Sequence, residues 1–515
     1  MTGTPVLNGA LAALCGVLFL TFLDTTIVSV ALADVQSSLH AGVTELQWVV
    51  NGYAVAFAAL MLAAGSFSDR LGRKRVMLSG LGVFCAGSLL GAGAPNPAVL
   101  IAARVVMGIG AAASEPGTLS IIRHLYPEPE RRARALGTWA ATSGLALALG
   151  PVFGGVLVGI WSWRAVLWFN VAAGLTALAM TARYVPESRD PTPARLDRVG
   201  CVLISVAVAS LAFAVILGES SGYASAPVVA LFAAGAVAVV GFVGAERRSP
   251  EPVLNLAYLR VPMFSGALAV AFALFFSIFS IFFFAALFLQ VVVGYSGYRT
   301  ALEFLPMAAG LVIASLWAGA LVARFGSRLP MAFGTALAGV GILASDAALM
   351  TQGTPSAWLA GTLALSGLGF GLSVVPVTAV SLSVIPPEHS GMAASATNAS
   401  RELGAVFGVA VLGALVNANL TADLSARLHA LGIPSAFQAI VVGAIETGGV
   451  PSGGAPGAAS AYGPIVDKVI HAAYGAFRAG LDVSLLTSGA LLLAASLVAL
   501  MTLPRQRRIA AIELS

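Results

Sequence analysis

Apolar stretches of about 20 residues recur from one end of the chain to the other, separated by short polar or glycine-bearing turns. About 20 residues is the length a helix needs to cross a hydrocarbon core about 30 Å thick. Fourteen such stretches are predicted, at approximately 9–33, 46–65, 76–95, 98–122, 135–160, 165–183, 199–218, 226–244, 263–289, 300–323, 329–350, 356–380, 391–416 and 483–503. Each reads as a helix, because backbone groups in lipid must be satisfied within the element itself. No segment shows the alternation, about ten residues long, of a membrane-barrel strand. The first stretch has no basic residue before it and retains Asp24. A cleaved signal would need a charged leading region and a small-residue cleavage site, so this stretch is expected to span.

Composition agrees with an integral membrane protein. Of 515 residues, 58% are apolar and 10% charged, and the mean hydropathy is +0.93; a soluble chain of this length carries more polar surface. The net charge of +5 comes from arginines beside the spans, which lipid headgroups and orientation explain without a nucleic-acid partner. With a cytoplasmic amino terminus, the inside loops hold Arg70, Arg73, Lys74, Arg75, Arg123, Arg131, Arg132, Arg134, Arg183, Arg189, Arg195, Arg198, Arg247, Arg248, Arg260, Arg324, Arg328, Arg505, Arg507 and Arg508. The outside loops hold only Arg164, Arg299, Arg427, Lys468 and Arg478. This bias places both termini in the cytoplasm. Lysine is nearly absent and Ala and Gly abound, as in a GC-rich bacterial genome. Cys15, Cys85 and Cys201 lie on separate spans without CxxC spacing and the histidines are scattered, so neither disulfides nor a metal site is expected.

The six stretches before residue 183 and the block after 263 form two sets joined by two extra helices, dividing the chain into 1–183, 184–262 and 263–515. The joins are polar, at Pro186–Arg198 and Glu246–Pro252. One outside loop, about 417–482, is unusually long. In it Leu420, Leu424, Leu428 and Leu431 recur at helical spacing, as do Ile465, Val469, Ala473, Phe477 and Leu481. The Gly/Pro/Ser/Ala run Thr447 to Pro464 between them reads as a flexible linker. Two amphipathic helices are expected, lying on the outer membrane surface or over the bundle. The loop is either a variable segment with no part in transport or a lid.

Between the second and third stretches stand Gly65, Asp69, Arg70, Gly72, Arg73, Lys74 and Arg75. Physically this is a tight turn on glycine, an acid able to sit at a helix amino terminus, and a basic cluster at the headgroups. Positive-inside charge alone explains the arginines but not the Gly-x3-Asp-Arg-x-Gly-Arg-Lys spacing, which resembles the cytoplasmic signature of the major facilitator superfamily. The resemblance implies that Asp69 and its neighbours interlock two bundles when the protein faces outward. A degenerate echo, Arg324, Gly326 and Arg328, lacks the acid.

The fifth stretch carries Gly144, Gly150, Pro151, Gly154, Gly155 and Gly159. Gly150/Gly154 and Gly155/Gly159 are small-x3-small pairs that permit close helix approach, and Pro151 bends the span. Tight packing alone would explain them, yet the pattern resembles the antiporter signature of exporters. The run Leu23 to Leu32 resembles the first-span signature of drug:proton antiporters with fourteen spans, with Ser29 and Ala33 departing from the usual Asn and Pro. Arg104, Gly108 and Gly110 resemble the fourth-span signature, with Met107 replacing Gln. The resemblance extends to the run Asn398 to Gly404.

Ionisable groups within spans cost several kcal/mol, by order of magnitude, unless paired or hydrated. Asp24 lies about 8 Å below the outer face and Arg104 about 9 Å deep, reckoned at about 1.5 Å per residue. In the fold implied by the resemblance both spans line the central cavity, so the two are expected to pair, either as a proton-coupled switch or as a permanent structural ion pair. Glu115, followed by Pro116, is a second protonation site or an acid reaching the inner interface. Arg401 and Glu402, neighbours on a helix, point about 100° apart and cannot pair with each other; the resemblance favours Glu402 as a coupling or substrate residue. Asp34, Glu303 and Asp346 near outer ends read as solvated rims. Phe22, Trp48, Tyr53 and the Phe-rich ninth stretch are candidates for an apolar site, though most of the latter cover every side of the helix and are expected to face lipid or pack.

The expected fold is all-α: two six-helix bundles plus two intervening helices, with a cavity between the bundles and rocking motion giving alternating access. The resemblance implies a proton-coupled exporter of small lipophilic or cationic molecules in the bacterial inner membrane. Such a protein works as a monomer, with the proton gradient rather than a cofactor as energy source. A sugar or nutrient importer is the rival: Pro186, Glu187, Ser188 and Arg189 superficially resemble a sugar-porter motif. A membrane sensor or scaffold would need a soluble signalling domain, and no stretch is large or polar enough. No glycine-rich nucleotide loop is present, which disfavours an enzyme or ATP-driven export.

Overall fold

The computed structural model describes residues 4–41, 43–188, 197–250, 252–295, 297–350, 357–386, 389–430 and 464–504. Among them the regular elements are helices: α1 (Thr4–Leu39), α2 (Val43–Leu71), α3 (Arg73–Ala92), α4 (Pro97–Ser114), α5 (Pro116–Leu125), α6 (Pro129–Ile160), α7 (Trp163–Tyr184), α8 (Arg198–Ser221) and α9 (Ala226–Glu246). After a single 3-10 turn at Tyr258–Arg260 come α10 (Pro262–Val291), α11 (Gly297–Phe325), α12 (Arg328–Met350), α13 (Ala357–Val384), α14 (Ser390–Ala430) and α15 (Pro464–Thr502).

Local chemistry sets several of these ends. Asn96 accepts a hydrogen bond from Val99 N at 3.0 Å and Pro97 occupies the first helical position of α4, satisfying one orphan donor and removing another. Asp197 does the same for α8 through Gly200 N at 2.7 Å. Pro116 has no N–H to give, so the fourth span breaks into α4 and α5 with Glu115 at the joint. Gly72 separates α2 from α3 at φ 105°, a region open to glycine.

Thirteen helical segments among the described residues are long and apolar enough to cross a membrane. The fourteenth expected span, 135–160, falls in α6, which is 32 residues long but includes side chains outside the described set, Pro151 among them.

In the first bundle α1 packs on α6 and α7, and α4 on α2 and α3. In the second, α11 and α12 pack on α13, while α10, α14 and α15 pack together. The bundles meet through α6 against α11 and α2 against α14. Glycine permits the first of these approaches: a Cβ on Gly137 would stand 2.5 Å from Ser315 O, and one on Gly319 2.8 Å from Ala133 O. Arg123, at the end of α5, donates to Ile385 O past the end of α13 at 2.9 Å. The two bundles are therefore pressed together at the end that carries Arg70, Arg73 and Arg75.

The intervening helices are not equivalent. α8 fills the groove where α2 meets α14, burying Val208 and Ala212 against Ala58, Ala59 and Val406. Trp48 stacks on Phe213 there with ring centroids 4.4 Å apart, so it belongs to this seam and not to an apolar site between the bundles. α9 rests on α8 and leaves Val237 and Val240 more than 70% exposed, an outward face suited to lipid.

The long loop departs from expectation. Its flanks are not separate helices on the membrane surface but continuations of α14 to Ala430 and of α15 from Pro464. Leu424 and Leu428 bury against Ala472, Ala473 and Ala476, with Val469 and Phe477 alongside. No proline or glycine interrupts the chain from 414 to 430, and each apolar stripe finds its partner in the other extension, so both stay helical. The linker Thr447–Pro464 lies outside the described residues save for Pro464, as do Leu431, the Ile465 side chain, Arg189, Arg195, Arg505, Arg507 and Arg508.

Candidate functional site: two buried charge clusters

The first cluster is centred on Asp24 of α1, which is fully buried. Arg104 of α4, also buried, donates from Nη1 to Asp24 Oδ2 at 2.5 Å, and Asn170 of α7 donates from Nδ2 to Oδ1 at 2.6 Å. Arg104 is itself held by Val49 O at 2.9 Å from Nε, and its guanidinium lies 4.6 Å from the centroid of the Tyr53 ring. Four helices thus meet around one ion pair, and the two oxygens of its carboxylate have different partners. A small crevice lined by Val28, Val35, Val49, Leu100 and Trp163 adjoins Arg104.

The second cluster spans the bundle interface. Glu115, buried at the α4–α5 joint, accepts from Thr21 Oγ1 at 3.3 Å and interacts electrostatically with Arg401 of α14. Arg401 donates to Asn398 Oδ1 at 3.2 Å and to Thr378 Oγ1 of α13. It turns away from its neighbour Glu402, as helix geometry requires, although Glu402 is buried within electrostatic reach of both Arg401 and Glu115. The guanidinium lies over Trp139 of α6 and Phe275 of α10 at 5.2 and 5.4 Å. Phe22 and Phe275 meet across the bundles with centroids 6.3 Å apart.

At the arginine-rich end, Asp69 pairs with Arg73 one turn on, at 2.8 Å, while Gly65 is buried and Arg70 exposed. Glu187 organises the corner: its Oε1 accepts from Lys74 N at 3.1 Å and Ser188 N at 3.0 Å, and Arg75 stands 3.7 Å from Oε2. Arg73 N donates to Ser188 O at 2.9 Å and Lys74 Nζ to Ala182 O at 2.7 Å. The turn is thereby fastened to the end of α7 in its own bundle. Glu187 was legible only as part of a superficial sugar-porter likeness; its work here is to hold the glycine turn.

The glycines of α6 serve three different surroundings. Gly150 and Gly154 bring α6 onto α1: a Cβ on Gly150 would overlap Thr26 Oγ1, and one on Gly154 would stand 2.8 Å from Ile27 O. Gly144 faces Leu311 of the other bundle. Gly155 and Gly159 meet nothing within 4 Å among the described residues, so the second small-x3-small pair is not a helix contact here. The side chain of Pro151 is outside the described set.

Sequence reasoning missed Asn170, Thr21, Thr378 and Trp139; a lone Asn in the apolar run of α7 was the one available signal for the first. It also misplaced two acids. Asp34 accepts Trp163 N at 2.9 Å, anchoring the start of α7, and Asp346 is buried beside Asp482 and Arg478 of α15.

Two helical bundles meeting at an interface that buries ionisable groups define a polytopic membrane transport protein. The chain belongs to the Major Facilitator Superfamily, whose family model matches residues 14–409. It is similar to the multidrug resistance protein Stp of Mycobacterium tuberculosis, 36% identical over 412 residues that cover 80% of this chain and 76% of that protein. It is also similar to the tetracenomycin C resistance and export protein of Streptomyces glaucescens, 31% identical and covering 96% of this chain and 90% of that one. The crystal structure of the human organic anion transporter MFSD10 shares the fold, with a TM-score of 0.64 at 15% identity over 96% of this chain and 99% of that one.

Proposed function

We propose that this chain is a proton-coupled exporter of small lipophilic or cationic molecules, antibiotics among them. It sits in a bacterial inner membrane with both termini cytoplasmic, and acts as a monomer with the proton gradient, not a bound cofactor, as its energy source. Residues 1–183 and 263–515 form the two moving bundles and 184–262 the linking pair. Relatives named for multidrug resistance and antibiotic export support the direction and the substrate class.

The observation that carries the proposal is the grip on Asp24. A proton on this carboxyl removes the negative charge that Arg104 Nη1 pairs with at Oδ2, while Asn170 Nδ2 keeps its bond to Oδ1. Protonation and the Arg104 ion pair are then mutually exclusive. Arg104 keeps Val49 O and the Tyr53 ring when it lets go, so its charge is not stranded in the membrane. In the described state the bundles are closed at the arginine-rich, cytoplasmic end. Glu115, Arg401 and Glu402 line the interface between the bundles, where a cationic substrate competes for the two carboxylates, and the turn at Asp69 and Arg73 balances the access states.

The test is transport in everted vesicles with an imposed proton gradient. Uphill movement of a lipophilic cation into the vesicles, with proton efflux in exchange, is the expected result. Gradient-driven sugar movement, with no antiport of any drug tested, overturns it.

A further inference from the structure

Resting on the proton-coupled reading above, we infer that Tyr53 and Thr21 couple the two charge clusters, so that the state of Asp24 is felt in the electrostatic interaction of Glu115 with Arg401 across the bundles. Tyr53 lies under Arg104 at 4.6 Å and donates its hydroxyl to Thr21 O at 3.2 Å. Thr21 in turn donates from Oγ1 to Glu115 Oε2 at 3.3 Å, sharing that hydroxyl with Leu18 O at 3.0 Å. Thr21 is three residues before Asp24 on α1, so one helical turn carries both the carboxylate and the link. Tyr53 and Thr21 are 1% exposed, and so these bonds do not compete with bulk water.

Glu115 is the meeting point of two arms of the same design. In one, Arg104 rests on Tyr53, and Tyr53 reaches Glu115 through Thr21. In the other, Arg401 rests on Trp139, whose Nε1 donates to Thr118 Oγ1 at 3.2 Å, and Thr118 donates to Glu115 O at 2.7 Å. The charged groups within reach of Glu115 are Arg401 and Glu402 of α14, and through Tyr53 the pair Asp24 and Arg104. When a proton on Asp24 releases Arg104, the guanidinium and the Tyr53 ring it stays stacked on shift together with the α1 turn, and the Thr21 hydroxyl falls back to Leu18 O. A carboxylate that loses a hydroxyl donor is less firmly held in its charged form, and Glu115 loosens its hold on Arg401. Proton uptake in the first bundle thereby unlocks the second. Thr21 and Tyr53 are positioning residues in this scheme.

The experiment measures purified protein in proteoliposomes with ethidium as the transported cation, recording gradient-driven accumulation and gradient-free exchange for each variant. Tyr53→Phe keeps the ring and removes the hydroxyl; Thr21→Val keeps the shape and removes the donor. Each is expected to lower accumulation about three- to tenfold, the worth of one buried hydrogen bond, with exchange unchanged. Thr21→Ser restores accumulation. The double variant is no worse than either single one, because both cut the same chain. Losses that multiply in the double variant, or a fall in exchange equal to the fall in accumulation, overturn the inference. No ethidium exchange by the unmodified protein refutes the export reading instead, before any variant is compared.

Discussion

The Arg401 guanidinium of α14 lies over the Trp139 ring of α6 at 5.2 Å, a contact that joins the two bundles at the depth of Glu115. The same ring donates from Nε1 to Thr118, so its face and its edge serve different partners. Trp139→Phe keeps a face for the cation and loses the donor; Trp139→Ala loses both and opens a cavity. Desolvated cation–π contacts are worth about 2 kcal/mol, so the alanine variant is expected to lower thermal stability clearly more than phenylalanine. Melting curves in detergent decide, and equal shifts for the two variants contradict the contact.

Asp24 and Arg104 are unequal targets. Asp24→Asn leaves neutral groups beside an arginine that still has Val49 O and Tyr53. That variant is expected to fold and to exchange substrate, but to lose concentrative transport. Arg104→Ala strands a buried carboxylate, at a cost of about 3–5 kcal/mol. Its yield and melting temperature fall well below those of the asparagine variant, and adding Asp24→Asn to Arg104→Ala recovers much of the loss. Glu115→Gln and Glu402→Gln, assayed in parallel, are expected to reduce accumulation less than Asp24→Asn does. Accumulation by Asp24→Asn, with none by Glu402→Gln, moves the principal proton site to α14.

The α6 glycines separate by what each would strike. Gly154→Leu drives a side chain into Ile27 O and should abolish transport while the protein still reaches the membrane. Gly155→Leu meets open space and should retain transport within about twofold, as outward-facing substitutions do. Drug-resistance assays in cells, with membrane levels measured by immunoblot, distinguish them.

Gly72 and Glu187 make one corner. Gly72 sits at φ 105°, and a Cβ there would stand 2.8 Å from Glu187 Oε1. Gly72→Ala is therefore expected to destabilise by about 1–2 kcal/mol from backbone strain alone. Glu187→Gln keeps the shape but weakens acceptance from Lys74 N and Ser188 N. If the corner sets the balance of access states, Glu187→Gln and Asp69→Asn both slow transport while substrate affinity in detergent stays near the unmodified value. A large loss of affinity in either would place the effect in the binding site.

The sequence alone determined the apolar helices of the bundles, their order, and the common level of Asp24 and Arg104. These follow from run length and from the cost of an ionisable side chain in lipid, both of which are local properties. Asp24 and Arg104 could be matched from one sequence because rise per residue converts position into depth. Which face of each helix meets which neighbour was decided only in the tertiary structure. Spans that are apolar all round carry little rotational signal: the hydrophobic stripe that orients a soluble helix is missing from α3, α9 and α13 alike. Asn170, Tyr53 and Trp139 find their places, and Gly155 loses its expected one, through packing between segments far apart in sequence. The extensions of α14 and α15 follow the same rule. Their periodicity announced amphipathic helices, and only the presence of the other stripe made the two partners instead of membrane-surface elements.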